Sequence, residues 1–135
     1  MSGAGASAAG SFVSSTLLDS SLRAMMESLV LVVFAYILGS ISSGYLLGKR
    51  AGVDVRQQGS GNIGATNVAR ALGKWQGVLT LLADAAKGII PVALALQLRL
   101  PSETLALVAS AAFLGHLYPI FLNFQGGKGV ATALG

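Results

Sequence analysis

The sequence has no cysteine and a single histidine, His116, among its 135 residues. Without cysteine, this chain cannot form disulfides, thiolate metal sites or a thiol nucleophile. A single histidine also excludes a metal site built from several imidazoles of the chain. We therefore expect neither a metal site nor a cofactor.

Charged residues are also scarce, at 10% of the sequence, against about 25% in an average soluble domain. Hydrophobic residues make up 53%. A chain with so little charge cannot cover a water-facing surface, and its length allows one domain. We expect an all-α fold, a polytopic helical integral membrane protein, with membrane lipids as partners and no binding to nucleic acid.

Three apolar runs are long enough to cross a membrane. They cover residues 28–48, 76–98 and 102–124, and a helix needs about 20 residues to span a hydrocarbon core of about 30 Å. The first run ends at Lys49 and Arg50, a stop-transfer pattern that a cleaved signal peptide lacks. The sequence therefore predicts about three spans.

The first run carries small residues at four-residue spacing, Ser40, Gly44 and Gly48. Such spacing lets another helix backbone approach closely, although ordinary helix packing explains it equally well. Before the run, residues 1–27 are rich in Ser, Ala and Gly, and we predict a disordered tail there. The single arginine and two acids of this segment fit a targeting peptide poorly. A misplaced start site is another explanation for the presence of these residues. The membrane domain is expected over residues 28–135.

The basic residues predict the orientation of the spans, because cytoplasmic loops carry an excess of Lys and Arg. If the loop after the first span is cytoplasmic, the segment after the third span is cytoplasmic too. Only Arg23 and Arg99 then lie outside. The basic residues inside are Lys49, Arg50, Arg56, Arg70, Lys74 and Lys128. We expect the N-terminus outside and both Gly-rich segments on the cytoplasmic face.

The segment GSGNIGATN, residues 59–67, contains the G-x-G-x-x-G fingerprint of dinucleotide-binding proteins. That fingerprint requires a buried strand before the glycines and a second strand that carries an acid. Val53–Val55 is too short and polar to be the first strand, and Asp84 lies inside an apolar run. A P-loop also fails, because Ala65 stands where its lysine should be. We reject a nucleotide site.

The glycines of this segment still suit an anion, because they allow successive backbone N–H groups to converge on one point. Thr66 or Asn67 can cap a following helix, whose N-terminus favours negative charge. Arg70 would lie about one turn into that helix. The segment is interpreted either as an anion site or as a flexible loop whose basic residues face lipid phosphates.

Two ionisable residues, Asp84 and Lys87, lie within the second apolar run, on the same side of a helix as Gln76 and Thr80. Ionisable residues at membrane depth are costly and usually face a bundle interior or an aqueous cavity. The three-residue spacing of Asp84 and Lys87 favours a structural ion pair. Direct contact with a ligand is the alternative.

The third run and the segment after it hold the remaining polar candidates. His116 is either a hydrogen-bonded packing residue or a general base. The sequence GGKG, from Gly126 to Gly129, places an ammonium group among backbone N–H groups and predicts a second anion site. Anchoring by one cytoplasmic Lys128 is the alternative.

Four stretches resemble the bacterial acyl-phosphate-dependent glycerol-3-phosphate acyltransferase family. They are GSISSGYLLGK (39–49), GSGNIGATNVAR (59–70), DAAKG (84–88) and GHLYPIFLNFQGGKGVAT (115–132). The resemblance implies an enzyme of the bacterial plasma membrane that moves a fatty acyl group from acyl phosphate to the 1-hydroxyl of sn-glycerol 3-phosphate. The products are lysophosphatidate and phosphate, and the reaction is the first acylation of phospholipid synthesis.

The same resemblance implies roles for individual residues. Ser60 and Arg70 match the essential serine and arginine of the family's first cytoplasmic motif, and we expect them to be catalytic. The glycines and lysine of GGKG match its phosphate-binding loop. We expect substrate binding by Asn62, Asn67, His116, Gly126, Gly127, Lys128 and Gly129.

Two positions depart from the family pattern. Ser42 stands where the family often has proline, and Gln125 where lysine is common. The family also continues with further spans and a third cytoplasmic motif, so a C-terminal remainder of the enzyme is an expected partner. The alternatives are an inactive fragment, a membrane scaffold, or an organic-anion or phosphate transporter subunit.

Overall fold

The structure, a computed structural model, describes the backbone of residues 4–135 and the side chains of residues 17–135. This part of the chain is all-α, as expected. Its helices are α1 (Ala4–Ser40), α2 (Ser43–Arg50), α3 (Ala65–Leu72), α4 (Lys74–Gln97), α5 (Ser102–Leu117) and α6 (Val130–Leu134). Two short 3-10 turns, Val55–Gln57 and Ile120–Leu122, lie in the connections.

Three segments are long and apolar enough to cross a membrane, which confirms the predicted spans. They are Leu17–Arg50, Lys74–Gln97 and Ser102–Leu122. Most of their large apolar side chains are exposed on the outer surface of the bundle. In a membrane protein these side chains face lipid rather than water, so their exposure carries no hydrophobic cost.

The spans pack through small residues. Helix α1 lies against α4 and α5, and Ala35 and Ala112 are fully buried between them. A side chain at Gly115 of α5 would collide with the backbone of α1 at Tyr36 and Gly39. Two helix backbones therefore approach closely here, as small residues allow in membrane bundles.

Gly44 and Gly48 lie against a loop, which differs from the helix contact that their spacing suggested. A side chain at Gly44 would meet the Ile63 carbonyl, and one at Gly48 would meet Val53 and Val55. The close approach is therefore to the segment between α2 and α3. Small residues at four-residue spacing indicate a helix surface on which another backbone can pack closely. The spacing does not tell whether that backbone belongs to a helix or to a loop.

The N-terminal segment also differs from the predicted disordered tail, because α1 begins at Ala4. A helix that is already formed extends at little cost, since the unfavourable step is nucleation. An exposed ion pair four residues apart, Arg23 Nε to Asp19 Oδ2 at 3.3 Å, lies on this extension. Residues 1–3 lie outside the described part of the chain, and the proposed boundary between tail and membrane domain stays a prediction.

We had expected the first span to be one continuous helix from residue 28 to residue 48, but it is interrupted. It breaks at Ile41 and Ser42, between α1 and α2. Ser42 takes an extended conformation and its Oγ accepts a hydrogen bond from the Tyr45 N–H at 3.3 Å. Serine competes in this way with the helical backbone and favours a helix start.

The third span is shorter as a helix than the apolar run. Helix α5 ends at Leu117, two residues before Pro119, because the residue preceding a proline is disfavoured in the helical conformation. The chain then turns back through left-handed conformations at Asn123 (φ 51°) and Phe124 (φ 62°). This reversal brings the GGKG segment alongside the end of α5.

Candidate functional site

The loop that carries Ser60 is built around the buried side chain of Asn67, in the first turns of α3. The Asn67 amide nitrogen donates to the carbonyls of Val55, Gln58 and Asn62 at 2.8–2.9 Å. Its Oδ1 accepts a hydrogen bond from the Ser60 N–H at 3.0 Å. A single side chain therefore fixes the backbone around Ser60. This is a structural role, and the substrate contact that we predicted for Asn67 stays a prediction.

The start of α3 differs from the capping that we expected. The helix begins at Ala65 with Gly64 before it, and neither Thr66 nor Asn67 caps it. Asn62 instead accepts the Gly64 N–H at 2.8 Å, within the loop. Gly59 and Gly61 take positive φ values of 52° and 71°, and only glycine adopts them without strain. The glycines are thus required by the shape of the loop.

Arg70 and the GGKG segment approach the same space from different elements. Arg70 is exposed on α3, which packs on α4 where Gly77 leaves no room for a side chain against Ala69. Gly126 packs on the backbone of His116 and Leu117, and Gly127 packs on the His116 ring. Gly127 N–H also donates to the His116 carbonyl at 3.2 Å.

The predicted ion pair lies between α2, α4 and α5. Lys87 Nζ is 3.0 Å from Asp84 Oδ1, and the two side chains are 6% and 4% exposed. Ser43 Oγ donates to the same carboxylate oxygen at 2.5 Å. Lys87 Nζ also donates to the Ile41 carbonyl, in the break between α1 and α2, at 2.8 Å. The pair therefore ties α4 to that break.

His116 is buried at the end of α5. Its Nδ1 lies 3.1 Å from the Thr132 Oγ1 of α6 and 3.9 Å from Asp84 Oδ1. The imidazole thus connects the buried carboxylate to the chain that follows GGKG. Of the two interpretations of His116, this arrangement favours the first, that of a hydrogen-bonded packing residue.

A cavity of about 420 Å³ joins these parts. It brings together Ser60, Arg70 and Lys128, which the sequence separates widely. Its polar lining residues are Ser60, Asn62, Thr66, Asn67, Arg70, Asp84, His116 and Lys128. Gly129 lines it as well, whereas Gly126, Gly127 and Lys87 are not among its lining residues.

The electrostatics of the cavity are basic. Among residues 17–135, neither Arg70 nor Lys128 has a carboxylate within ion-pairing distance, while Asp84 is paired with Lys87. Two cations thus remain available to a ligand. A cavity of this kind can hold a phosphate by charge-assisted hydrogen bonds.

Arg56, the other basic residue of the loop, is already engaged. Its Nη2 lies 2.8 Å from Asp54 Oδ2, and its guanidinium group stacks over the Tyr45 ring at 4.7 Å. The Arg56 side chain, through its hydrogen bond, holds the pKa of Asp54 below its usual value. Arg56 therefore shapes the loop and is not among the residues that line the cavity.

Sequence reasoning missed Ser43 and Thr132 as partners of the site. Ser43 is a polar residue within an apolar run, a signal that was present in the sequence but indistinguishable from small-residue packing. Thr132 follows a Gly-rich segment and carried no signal of its own. Both become visible only through contacts with Asp84 and His116 on other helices.

Fold and site together define a polytopic helical membrane protein with a basic, glycine-rich cavity near one end of its spans. Within that class, the chain belongs to the glycerol-3-phosphate acyltransferase family, whose sequence profile matches residues 29–135. This agrees with the resemblance found in the four sequence stretches.

Individual proteins of this family are also similar to the chain. A glycerol-3-phosphate acyltransferase of Geotalea daltonii is 58% identical over 82% of this chain and 57% of its own length. One of Geobacter sulfurreducens is 57% identical, with the same shares covered. The chain thus spans a little over half the length of these curated relatives.

Solved structures show the same fold. The glycerol 3-phosphate form of PlsY, an integral membrane glycerol 3-phosphate acyltransferase, matches with a TM-score of 0.78 and 54% identity, over 81% of this chain and 55% of that one. The lysophosphatidic acid form of PlsY matches with a TM-score of 0.75 and 52% identity, over 80% and 54% of the two chains. The multi-pass membrane fold is thereby established for this chain.

Proposed function

We propose that this chain forms the phosphate-binding part of an acyltransferase that uses acyl phosphate as donor and sn-glycerol 3-phosphate as acceptor. The observation that carries the proposal is the single cavity lined by Ser60, Arg70 and Lys128. Both substrates carry phosphate, and the two unpaired cations offer it complementary charge. The crystallised forms of PlsY, with glycerol 3-phosphate and with lysophosphatidic acid, support the same ligands here.

The reaction needs little beyond positioning and charge stabilisation, because phosphate is a good leaving group. The 1-hydroxyl oxygen of glycerol 3-phosphate bonds to the acyl carbon, and the bond between that carbon and the phosphate oxygen breaks. The hydroxyl proton passes to a phosphate oxygen of the substrates. Arg70 and Lys128 neutralise phosphate charge, and Ser60 orients a substrate by hydrogen bonding. Lysophosphatidate and phosphate are the products.

Ser60 acts here without forming an acyl-enzyme. A serine nucleophile needs an adjacent base to activate it. Among the described side chains, none hydrogen-bonds to the Ser60 hydroxyl, and the partner of His116 Nδ1 is Thr132. The substrate-binding roles of Asn62 and of the GGKG segment belong to the same proposal.

We place the cavity at the cytoplasmic face of a bacterial plasma membrane. The first half of α4, at Leu81 and Asp84, and the end of α5, at His116, both border the cavity, and α4 and α5 run in opposite directions through the bundle. One face therefore carries the loop before α3, the GGKG segment and most of the basic residues. That distribution favours the cytoplasmic side.

The proposal is tested by reconstituting the purified chain in liposomes with acyl phosphate and radiolabelled glycerol 3-phosphate. We expect lysophosphatidate, and losses of about 100-fold or more in Ser60→Ala and Lys128→Met, the size expected for a lost stabilising group. Gln57→Ala, in an exposed turn that does not line the cavity, is the matched control and should retain activity.

The assay is repeated with the rest of the Geotalea daltonii relative co-expressed, since the chain matches 57% of that protein. Activity with acyl-CoA in place of acyl phosphate would contradict the donor. Anion flux through the liposomes without any lysophosphatidate would support the transporter instead. Absence of product in both preparations would overturn the acyltransferase proposal.

A further inference from the structure

The cavity has one acidic side chain among its lining residues, that of Asp84. A carboxylate beside a phosphate is unfavourable, and repulsion between like charges is stronger near a low-dielectric interior than in water. A carboxylate in a site for phosphorylated substrates therefore weakens anion binding unless a nearby cation cancels its charge.

Lys87 is placed to cancel it. The Lys87 ammonium lies 3.0 Å from Asp84 Oδ1, and its side chain is only 6% exposed. Its second contact is the Ile41 carbonyl at 2.8 Å, and it is absent from the cavity lining. Lys87 therefore points away from the ligand space and acts on the carboxylate.

The other contacts of the carboxylate converge on the same oxygen. Ser43 Oγ donates to Asp84 Oδ1 at 2.5 Å, and His116 Nδ1 lies 3.9 Å from it. Asp84 Oδ1 thus accepts from an ammonium and a hydroxyl, and the ammonium makes the pair electrically neutral overall.

We propose that Lys87 determines the charge specificity of the cavity: it neutralises Asp84, so that the positive charges of Arg70 and Lys128 both act on a phosphate-bearing substrate, without the opposing charge of a carboxylate. This inference rests on the proposed function for the identity of that substrate. It makes Lys87 a positioning and charge-setting residue rather than a catalytic one, because it does not touch the ligand space.

The test measures binding of glycerol 3-phosphate and of inorganic phosphate to the purified protein, from the ligand-dependent rise in unfolding temperature. Lys87→Met should bind both anions about tenfold more weakly, because the Asp84 carboxylate that lines the cavity then lacks its cation. Asp84→Asn should bind them as tightly as the wild type or more tightly. Of the two single variants, only Lys87→Met should therefore weaken binding.

Two further variants separate the effect of the Lys87 charge on anion binding from the effect of its packing. Lys87→Arg keeps the cation and should bind like the wild type, and the double variant Asp84→Asn with Lys87→Met removes both charges and should recover most of the affinity. Arg99→Gln removes one positive charge from the connection between α4 and α5 and is the matched control. Its affinity should be unchanged.

Equal weakening in Lys87→Met and Asp84→Asn, or a double variant as weak as Lys87→Met, would show that the pair acts through packing alone and would overturn the inference. Because binding is measured without turnover, this result is independent of the acyltransferase assay. A wild type that binds phosphate but makes no lysophosphatidate in either preparation would contradict the proposed function and leave the charge inference standing.

Discussion

The Oδ1 atom of Asn67 accepts a hydrogen bond from the Ser60 N–H at 3.0 Å, so a buried residue of α3 holds the serine that lines the cavity. The same side chain donates to three loop carbonyls. Removing it leaves these groups without their partner, and each buried polar group that stays unsatisfied costs about 1–3 kcal/mol.

We therefore expect Asn67→Ala to loosen the loop before α3. Limited proteolysis should cut near Ser60 at least tenfold faster than in the wild type, and the unfolding temperature should fall. Asn67→Asp keeps an acceptor for Ser60 but loses the donors, so it should be as sensitive as Asn67→Ala. The exposed Gln57→Ala is the control. A protease-resistant Asn67→Ala would contradict this role.

Substitutions of the two arginines near the loop should have very different effects on acyltransferase activity. Arg70 lines the cavity without a carboxylate partner, whereas Arg56 is paired with Asp54 and stacked on Tyr45. In the acyltransferase assay, Arg70→Gln should lower kcat/KM by about 100-fold or more. Arg56→Gln should stay within about twofold, since exposed ion pairs contribute about 0–1 kcal/mol. Similar losses in both variants would refute this distinction.

Gly127 should not tolerate a side chain. A Cβ atom there would meet the His116 ring, with Cε1 at 3.2 Å and Cδ2 at 3.3 Å, and over-packing of this kind costs about 1–3 kcal/mol. Gly127→Ala should displace the segment that carries Lys128 and raise KM for glycerol 3-phosphate about tenfold, which corresponds to about 1.4 kcal/mol. The exposed neighbour variant Gln125→Ala serves as the control. An unchanged KM in Gly127→Ala would show that the loop accommodates the methyl group.

The absence of cysteine makes the orientation directly measurable. Single cysteines at Gln57, in the loop before α3, and at Ser102, at the start of α5, should lie on opposite faces of the membrane. In intact spheroplasts, a membrane-impermeant maleimide should label Ser102→Cys but label Gln57→Cys only after lysis. The reverse pattern would overturn the cytoplasmic placement of the cavity.

Much of the fold was predictable because it follows from local pattern. Long apolar runs dictate membrane helices, since a backbone in hydrocarbon must satisfy its own hydrogen bonds. The spacing of Asp84 and Lys87 dictates that they share a helix face. The family resemblance added the expected roles of Ser60, Arg70 and the GGKG segment, and these roles stay predictions.

Other features could not be read from local pattern. The role of the Asn67 amide within the loop was not predicted, because carbonyls from several sequence positions converge on it. The break at Ile41 and Ser42 was missed inside an apolar run. Residues 1–27 were expected to be disordered, yet α1 begins at Ala4 because it extends a helix that already exists.

The sequence by itself determined the class of the protein: its scarcity of charge and its three apolar runs require a membrane and helices to cross it. Only the tertiary structure decided that Ser60, Arg70 and Lys128 line one cavity, and that Lys87 serves Asp84 and the Ile41 carbonyl rather than the ligand space. The physical reason is that hydropathy and periodicity act over neighbouring residues. The charge of a cavity depends instead on which distant side chains the packed helices bring within hydrogen-bond distance.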